Sequence, residues 1–245
     1  MAEVIDRVRG KIVDYDERSG EVIIRAPYTD IVAMCRREYK EVEIRLIDSR
    51  PLSDKQRRSC YAMIREVSEW SGETPEETKQ ILKMDFWCGE LLEMADSLFS
   101  LSDAPMSLVA AFQSWLARFI VRNDVPTKKP MLEYVDDIDD YVYACLKNKK
   151  CAICGKKADL HHVDAIGMGR DRNEVIHEGL EVLPLCRDHH IEMHTMGKKS
   201  FFDKYHINNG IIADKTICWI YGIKRKREAN AVRSNKRTNT VRSAG

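Results

Sequence analysis

The chain has 245 residues, of which 44% are hydrophobic and 32% charged, and its formal net charge is +1. This length suits one large domain or two modest ones, and the composition is that of a soluble globular protein. No stretch approaches the roughly eighteen apolar residues that a membrane helix requires, and the acidic start lacks a signal-peptide pattern. We therefore expect a cytoplasmic protein without membrane contact, whose eight cysteines stay reduced.

The N-terminal segment alternates in the manner of β-strands. Residues 10–15 and 21–25 read as two strands, and residues 16–20 between them have the composition of a hairpin turn. A short helix near residues 30–39 and a third strand at 41–47 complete this predicted small sheet.

A helical pattern starts at Ser53, which forms a predicted capping box with Gln56. One face of this helix carries Tyr61, Ile64, Val67 and Trp70. A second helix begins at Thr74, with Pro75 at the first helical position, where a missing N–H has no consequence. A third helix has an apolar stripe that we assign to the core rather than to a cofactor site. Its members are Leu108, Phe112, Trp115, Leu116 and Phe119.

A break in the pattern at residues 123–130 contains two prolines and indicates a domain boundary. An acidic helix at residues 132–146 follows, and we interpret its aspartates at 136–140 as a solvated face rather than a calcium loop. The pattern as a whole predicts an α+β fold with a small N-terminal sheet and helices, followed by a metal-stabilised C-terminal domain.

The most informative segment is residues 151–194, which holds three of the eight cysteines and six of the seven histidines. The pairs Cys151/Cys154 and Cys186/His189 have the two-residue gaps of tetrahedral zinc sites, so we predict a structural zinc there. The remaining cysteines have no partner at ligand spacing and are predicted to be small buried side chains. They are Cys35, Cys60, Cys88, Cys145 and Cys218.

Four further histidines remain for a second centre. His161 and His162 lie in a predicted strand, and His190 and His194 lie four residues apart on a predicted helix, where they can share one cation. Imidazole-rich ligation favours zinc, nickel, cobalt or manganese over magnesium. A zinc-ribbon binding module without catalysis is the alternative, and the adjacent histidine pair argues against it.

This succession of a Cys-x-x-Cys turn, a His-His pair and a helical His-x-x-x-His resembles the HNH endonuclease family, whose fold is a ββα finger around a metal. The resemblance implies that His162 is the general base and that His161, His190 and His194 hold a divalent catalytic metal (Mn, Mg, Ni or Zn). Glu181 stands where the family has an asparagine, and its carboxylate can accept a hydrogen bond from an imidazole. His177 has no implied role, and we expect it to be exposed.

Basic residues are candidates for contact with nucleic acid. Arg170, Arg172 and Arg187 lie where the resemblance would place a phosphate backbone, although loop arginines are often simply solvated. The segment 223–245 carries eight basic residues against one acid and is predicted to be a disordered arm, with Lys224 and Arg225 at its start. It binds phosphates or serves only as a solubilising tail.

Residues 40–126 resemble the Orf or NinB family of bacteriophage recombination mediators, through the stretch from Asp48 to Trp70 and the aromatic helix after it. This resemblance implies binding to single-stranded DNA and to the host single-strand-binding protein, and assembly as a homodimer. Arg50, Lys55 and Arg57 can hold phosphates there, or can simply cap and solubilise a helix.

Together these patterns predict three segments: residues 1–127 as an Orf/NinB-like domain for DNA binding and dimerisation, 128–222 as an HNH domain with structural zinc, and 223–245 as a basic tail. The predicted function is that of a phage endonuclease in its bacterial host, cutting single-stranded or branched DNA in recombination or replication intermediates. The alternative is a non-catalytic mediator with a zinc knuckle, and composition does not separate DNA from RNA as the ligand.

Overall fold

The structure is a computed structural model that describes residues 8–37, 44, 46, 48, 50–91, 98–163 and 175–225. The chain forms two compact units, Met1–Ile47 and Asp48–Gly245. Small antiparallel sheets and separate helices make up the described residues, so the fold is α+β as predicted.

The first unit contains a hairpin followed by a helix. Strands β1 (Lys11–Asp16) and β2 (Glu21–Arg25) pair antiparallel. The turn between them ends at Gly20, whose φ of 73° lies in the left-handed region that glycine adopts readily. Helix α1 (Ile31–Arg37) follows. The predicted hairpin and helix are confirmed, whereas the strand predicted at 41–47 falls largely outside the described residues.

Three helices open the second unit: α2 (Asp54–Ser71), α3 (Pro75–Phe86) and α4 (Met106–Arg122). The Ser53 side chain accepts a hydrogen bond from the backbone N–H three residues later, and Thr74 forms a full capping box at the start of α3. Each cap satisfies a backbone donor that the first helical turn leaves without a partner. Both predicted helix starts are confirmed.

An aromatic cluster joins α3 and α4. Phe112 is fully buried, and its ring centroid lies 5.2 Å from those of Phe86 and Phe99. Trp115 extends the cluster by stacking on Phe112 at 6.1 Å. Such pairs contribute about 0.5–1.5 kcal/mol each beyond their burial. Phe112 and Leu116 are buried, and Leu108, Trp115 and Phe119 pack partly buried against the core, so the apolar stripe of α4 faces the core as predicted.

The buried face of α2 differs from the predicted one. Tyr61 and Trp70 are 42% and 46% exposed, so their assignment to the apolar face was wrong. The buried stripe instead runs through Cys60, Met63, Ile64 and Val67. These positions follow the i, i+3, i+4, i+7 spacing of one helical face, starting one residue earlier than the predicted set.

Helix α5 (Ile138–Asn148) begins six residues later than predicted. Asp137 caps it by accepting the N–H of Asp140, and Met131–Glu133 before it forms a separate 3-10 turn. The acidic run is therefore not just a solvated face. Asp136 pairs with a lysine at the start of α2 at 2.8 Å, and Asp140 pairs with an arginine of α4 at 2.9 Å.

The C-terminal part contains the predicted ββα arrangement. Strands β3 (Asp159–His162) and β4 (Glu181–Leu185) pair antiparallel and lead into α6 (Arg187–Met196). Three elements follow: α7 (Lys198–Tyr205), β5 (Ile211–Ile212) and α8 (Lys215–Tyr221). Strand β5 pairs with β4, so the sheet order is β3–β4–β5.

One continuous hydrophobic core includes buried residues of α2–α4 and of the ββα arrangement. A buried hydrogen bond from the Tyr134 hydroxyl to the Glu66 carboxylate, 2.8 Å long, ties the segment after residue 127 to α2. The predicted division at residue 127 stays a prediction.

The cysteines outside the predicted zinc site are of two kinds. Cys60, Cys145 and Cys218 are buried as predicted, whereas Cys35 and Cys88 are exposed. The prediction was therefore wrong for these two. Within the described residues, no helix combines the length and the apolar composition needed to cross a bilayer.

Candidate metal centres

The first cluster lies where the turn before β3 meets the start of α6. Cys151 and Cys154 flank a tight turn, which closes with a 2.9 Å hydrogen bond from the Gly155 N–H to the Cys151 carbonyl. Cys186 occupies the N-cap position of α6, and His189 lies within the first helical turn. The fold thus brings together all four predicted zinc ligands, Cys151, Cys154, Cys186 and His189.

The distances within this cluster match a tetrahedral ion. The sulfurs of Cys154 and Cys186 are 3.7 Å apart. Nδ1 of His189 lies 3.5 Å from the Cys151 sulfur and 3.1 Å from the Cys186 sulfur. Zinc–sulfur bonds of about 2.3 Å in a tetrahedron hold sulfurs about 3.8 Å apart. These four side chains could therefore hold a structural metal, and the donor set is one that zinc prefers.

Burial favours the protonated form of the Cys151 and Cys154 thiols when no metal is bound. It raises the pKa of Cys151 to about 12 and also raises the pKa of Cys154. Burial also opposes ionisation of Cys186, but the pKa of that thiol is lowered on balance, with the backbone N–H of His189 the leading cause. Because metals bind thiolates, loading this site must release protons from the buried cysteines.

The second cluster consists of three imidazoles between β3 and α6. The ring centroid of His161 lies 4.6 Å from that of His190 and 5.1 Å from that of His194. His190 and His194 lie one helical turn apart, with their centroids 4.6 Å from each other. One nitrogen from each of the three rings falls within 4.8 Å of the others, so the three could hold a metal ion.

These rings are suited to accept a cation. Burial, then the neighbouring His190 and His194, lowers the pKa of His161 to about 4, so this imidazole is neutral at physiological pH. Burial lowers the pKa of His190 as well. His194 is exposed, which leaves one side of the cluster open to solvent. Three protein ligands with an open position are typical of catalytic rather than structural zinc sites.

His162 extends from the other face of β3, because successive side chains of a strand alternate. Its Nε2 lies 2.8 Å from Nδ1 of His177, and the two ring centroids are 4.8 Å apart. His177 is partly buried, so the expectation that it is exposed was wrong. Sequence reasoning missed this residue because no local spacing links two positions fifteen residues apart.

Comparison with known proteins gives the family. A family model described as "Putative HNHc nuclease" matches residues 21–220 of the chain. The chain belongs to this HNH nuclease family. It is also 46% identical, over 61 residues, to an uncharacterized Escherichia coli protein, YdfU, a match that covers 24% of the chain and 17% of YdfU. No solved structure matches the chain significantly.

The ββα arrangement around the two clusters is consistent with this HNH nuclease family. Nuclease activity, DNA as the substrate, single-stranded DNA, a single-strand-binding protein, a homodimer, a phage origin and a cytoplasmic location stay predictions.

Glu181, at the position of the family's asparagine, stands at the start of β4. Its carboxylate accepts the Gly210 N–H at 2.6 Å and lies 3.0 Å from the Lys198 ammonium. Gly210 can approach this closely because it has no side chain. A Cβ at this position would lie 2.9 Å from the Glu181 side chain and 2.9 Å from the Val182 carbonyl. Glu181 thus joins the HNH strands to the segment before β5, and its predicted contact with an imidazole stays a prediction.

The predicted nucleic-acid contacts near α2 are ion-paired within the chain. Arg50 pairs with Asp48 at 2.9 Å, Lys55 pairs with an aspartate before α5 at 2.8 Å, and Arg57 pairs with Asp54. The basic side chains of these pairs remain exposed, and surface ion pairs add little stability, so the arginines and the lysine can exchange their carboxylate partner for a phosphate.

The other predicted contacts lie in the HNH part. Arg187 is exposed at the first position of α6. The carbonyl of Lys224 accepts the His177 N–H at 3.1 Å, so the start of the basic arm lies against His177. Arg225, the next residue, is partly buried. Arg170, Arg172 and most of the 223–245 arm lie outside the described residues.

Proposed function

We propose that this HNH protein is a metal-dependent DNA endonuclease. In this proposal His161, His190 and His194 hold the catalytic divalent metal (Mn, Mg, Ni or Zn), and the cysteine cluster holds a structural zinc. The observation that carries the proposal is the open triangle of three imidazoles, with ligand atoms within 4.8 Å, between a strand and a helix of an HNH fold. When bound, the metal would stabilise the charge that grows on the phosphate and the leaving oxygen.

His162 acts as the general base in this proposal. Burial lowers its pKa, so the ring is neutral at physiological pH and has a lone pair for a proton of water. The water oxygen attacks phosphorus as its proton moves to His162, and the bond to the 3′ oxygen breaks. Glu181 acts indirectly, through the Gly210 and Lys198 contacts that hold the start of β4.

We also propose that the substrate is DNA in recombination or replication intermediates, single-stranded or branched, bound by Arg187 and the basic arm. Support for a separate DNA-binding surface comes from α2, where Arg58, Tyr61 and Arg65 are exposed at i, i+3 and i+7 spacing on one face. Arginines there can contact phosphates while the ring stacks on a base. A host single-strand-binding protein and a second copy of the chain are the proposed partners of this half.

The test is cleavage of supercoiled plasmid and single-stranded circles with Mn²⁺, Mg²⁺, Ni²⁺ or Zn²⁺. His162→Ala is expected to reduce the cleavage rate about 10²–10⁴-fold, with DNA affinity and melting temperature unchanged. His206→Asn is the matched control, because His206 lies outside both clusters and asparagine tolerates its φ of 55°.

Unchanged nicking by His162→Ala would refute the assignment of the base. Binding without cleavage by the wild-type protein, across all four metals, would favour the alternative of a non-catalytic single-stranded DNA-binding mediator.

A further inference from the structure

His177 is held beside His162 by its own backbone. The His177 N–H donates to the Lys224 carbonyl at 3.1 Å, and the His177 carbonyl accepts the Leu180 N–H at 3.0 Å. These two bonds fix the turn before β4 from both sides. The 2.8 Å contact between the two rings therefore joins two backbones that are each held in place, β3 through the sheet and this turn through Lys224.

The atoms in contact restrict the tautomers of the two rings. The contact joins Nε2 of His162 to Nδ1 of His177, and one of these nitrogens must carry the proton while the other accepts it. If His177 donated, a neutral His162 would carry its proton on Nδ1 and would have no lone pair left for water. If His162 donates from Nε2, its Nδ1 keeps a lone pair that points away from His177. Only the second arrangement leaves His162 able to act as a base.

We propose that His177 is a positioning residue that accepts the Nε2–H of His162 and thereby directs the Nδ1 lone pair of His162 towards the attacking water. This inference rests on the proposed function, in which His162 is the base.

The protons and bonds of the proposed step balance. An O–H bond of water breaks, its proton joins Nδ1 of His162, and the water oxygen forms the new bond to phosphorus. The bond from phosphorus to the 3′ oxygen breaks, and the 3′ oxygen leaves with that electron pair and takes a proton from solvent. His162 becomes a cation whose Nε2–H donates more strongly to His177 than the neutral ring did. His177 stays neutral throughout, and His162 returns its proton to solvent after cleavage.

Two substitutions at residue 177 separate positioning from packing. His177→Phe keeps a ring of similar size but removes the acceptor, whereas His177→Asn puts an amide oxygen near the former position of Nδ1. We expect His177→Phe to reduce kcat about 10–100-fold, the range typical of a group that orients a functional side chain, with KM for DNA and metal content unchanged. His177→Asn should recover most of that loss, and His206→Asn should match the wild type.

Equal kcat values for His177→Phe and the wild type would overturn the proposal. So would equal losses in His177→Phe and His177→Asn, because a purely structural role is not rescued by an acceptor.

Nitrogen NMR of the full-length, zinc-loaded protein tests the same contact without any cleavage. In ¹⁵N-histidine-labelled protein, the His162 ring is expected as the Nε2–H tautomer, with a mixture of tautomers in His177→Phe. A wild-type His162 protonated on Nδ1 would overturn the positioning role. If the wild type cleaves no DNA, the proposed function fails, and the NMR result still decides which ring donates.

Discussion

Replacing Cys186 by alanine, which removes the thiolate and offers no cap to α6, is expected to weaken metal binding at both proposed centres rather than at one. Cys186 is the N-cap of α6, and no side-chain hydrogen bond caps this helix. His189 of the first centre and His190 of the second are adjacent on the first turn, with His194 one turn further. The cysteine cluster therefore fixes the end of the helix that presents two of the three imidazoles of the second centre.

The size of the effect follows from the ligand count. Structural zinc in small modules binds with an apparent free energy of about 10–16 kcal/mol, and one ligand in four accounts for about 3 kcal/mol of it. This loss corresponds to about 100-fold weaker zinc binding at the first centre. If the start of α6 is then ordered in about a tenth of the molecules, the apparent affinity of the second centre falls about tenfold.

The assay is elemental analysis of metal per chain after dialysis against a graded series of competing chelator. The wild type should release two ions in separate steps, and Cys186→Ala should lose both at chelator concentrations that leave the wild type loaded. Cys88→Ala is the matched control, because Cys88 is exposed and outside both clusters. Loss of the first ion with undiminished affinity at the second centre would refute the coupling through α6.

Four further substitutions and one control have expected outcomes. His194→Ala should lose the second ion alone in the same dialysis, since the ring is exposed and lies outside the hydrophobic core; loss of both ions would contradict this. Phe112→Ala, at a fully buried position, should lower the free energy of unfolding by about 3–5 kcal/mol in urea titrations while both ions stay bound. Tyr134→Phe removes a donor from the buried Glu66 carboxylate and should lower the free energy of unfolding by about 1–3 kcal/mol in the same titration. An unchanged midpoint would show that water replaces the hydroxyl. Gly210→Ala puts a Cβ 2.7 Å from the Val163 side chain and 2.9 Å from the Val182 carbonyl, so the free energy of unfolding should fall by about 1–3 kcal/mol. The control is Gly89→Ala, which has open space around it and should leave the free energy of unfolding unchanged.

Local chemistry made several features predictable from sequence. Ser53 and Thr74 begin helices because a side-chain oxygen there reaches a backbone N–H only three residues away. Likewise, a two-residue gap places Cys151 and Cys154 on one turn, and a four-residue interval places His190 and His194 on one helical face. In each case the covalent chain itself sets the distance between the groups.

Other features depend on how distant segments pack. Sequence periodicity allowed two neighbouring stripes on α2, and contact with α3 and α4 decided that Met63 is buried while Tyr61 is exposed. Which partner lies beside His162 was likewise undetermined, because fifteen residues separate it from His177 and the chain between them can close in many ways.

The sequence by itself therefore determined which residue types form each metal cluster, since short spacings encode local geometry. Only the tertiary structure decided that His161 completes the triangle with α6 and that His177 lies within hydrogen-bonding distance of His162. Both results depend on the pairing of β3 with β4 and on the packing of α6 against the sheet, which are long-range contacts that no local pattern specifies.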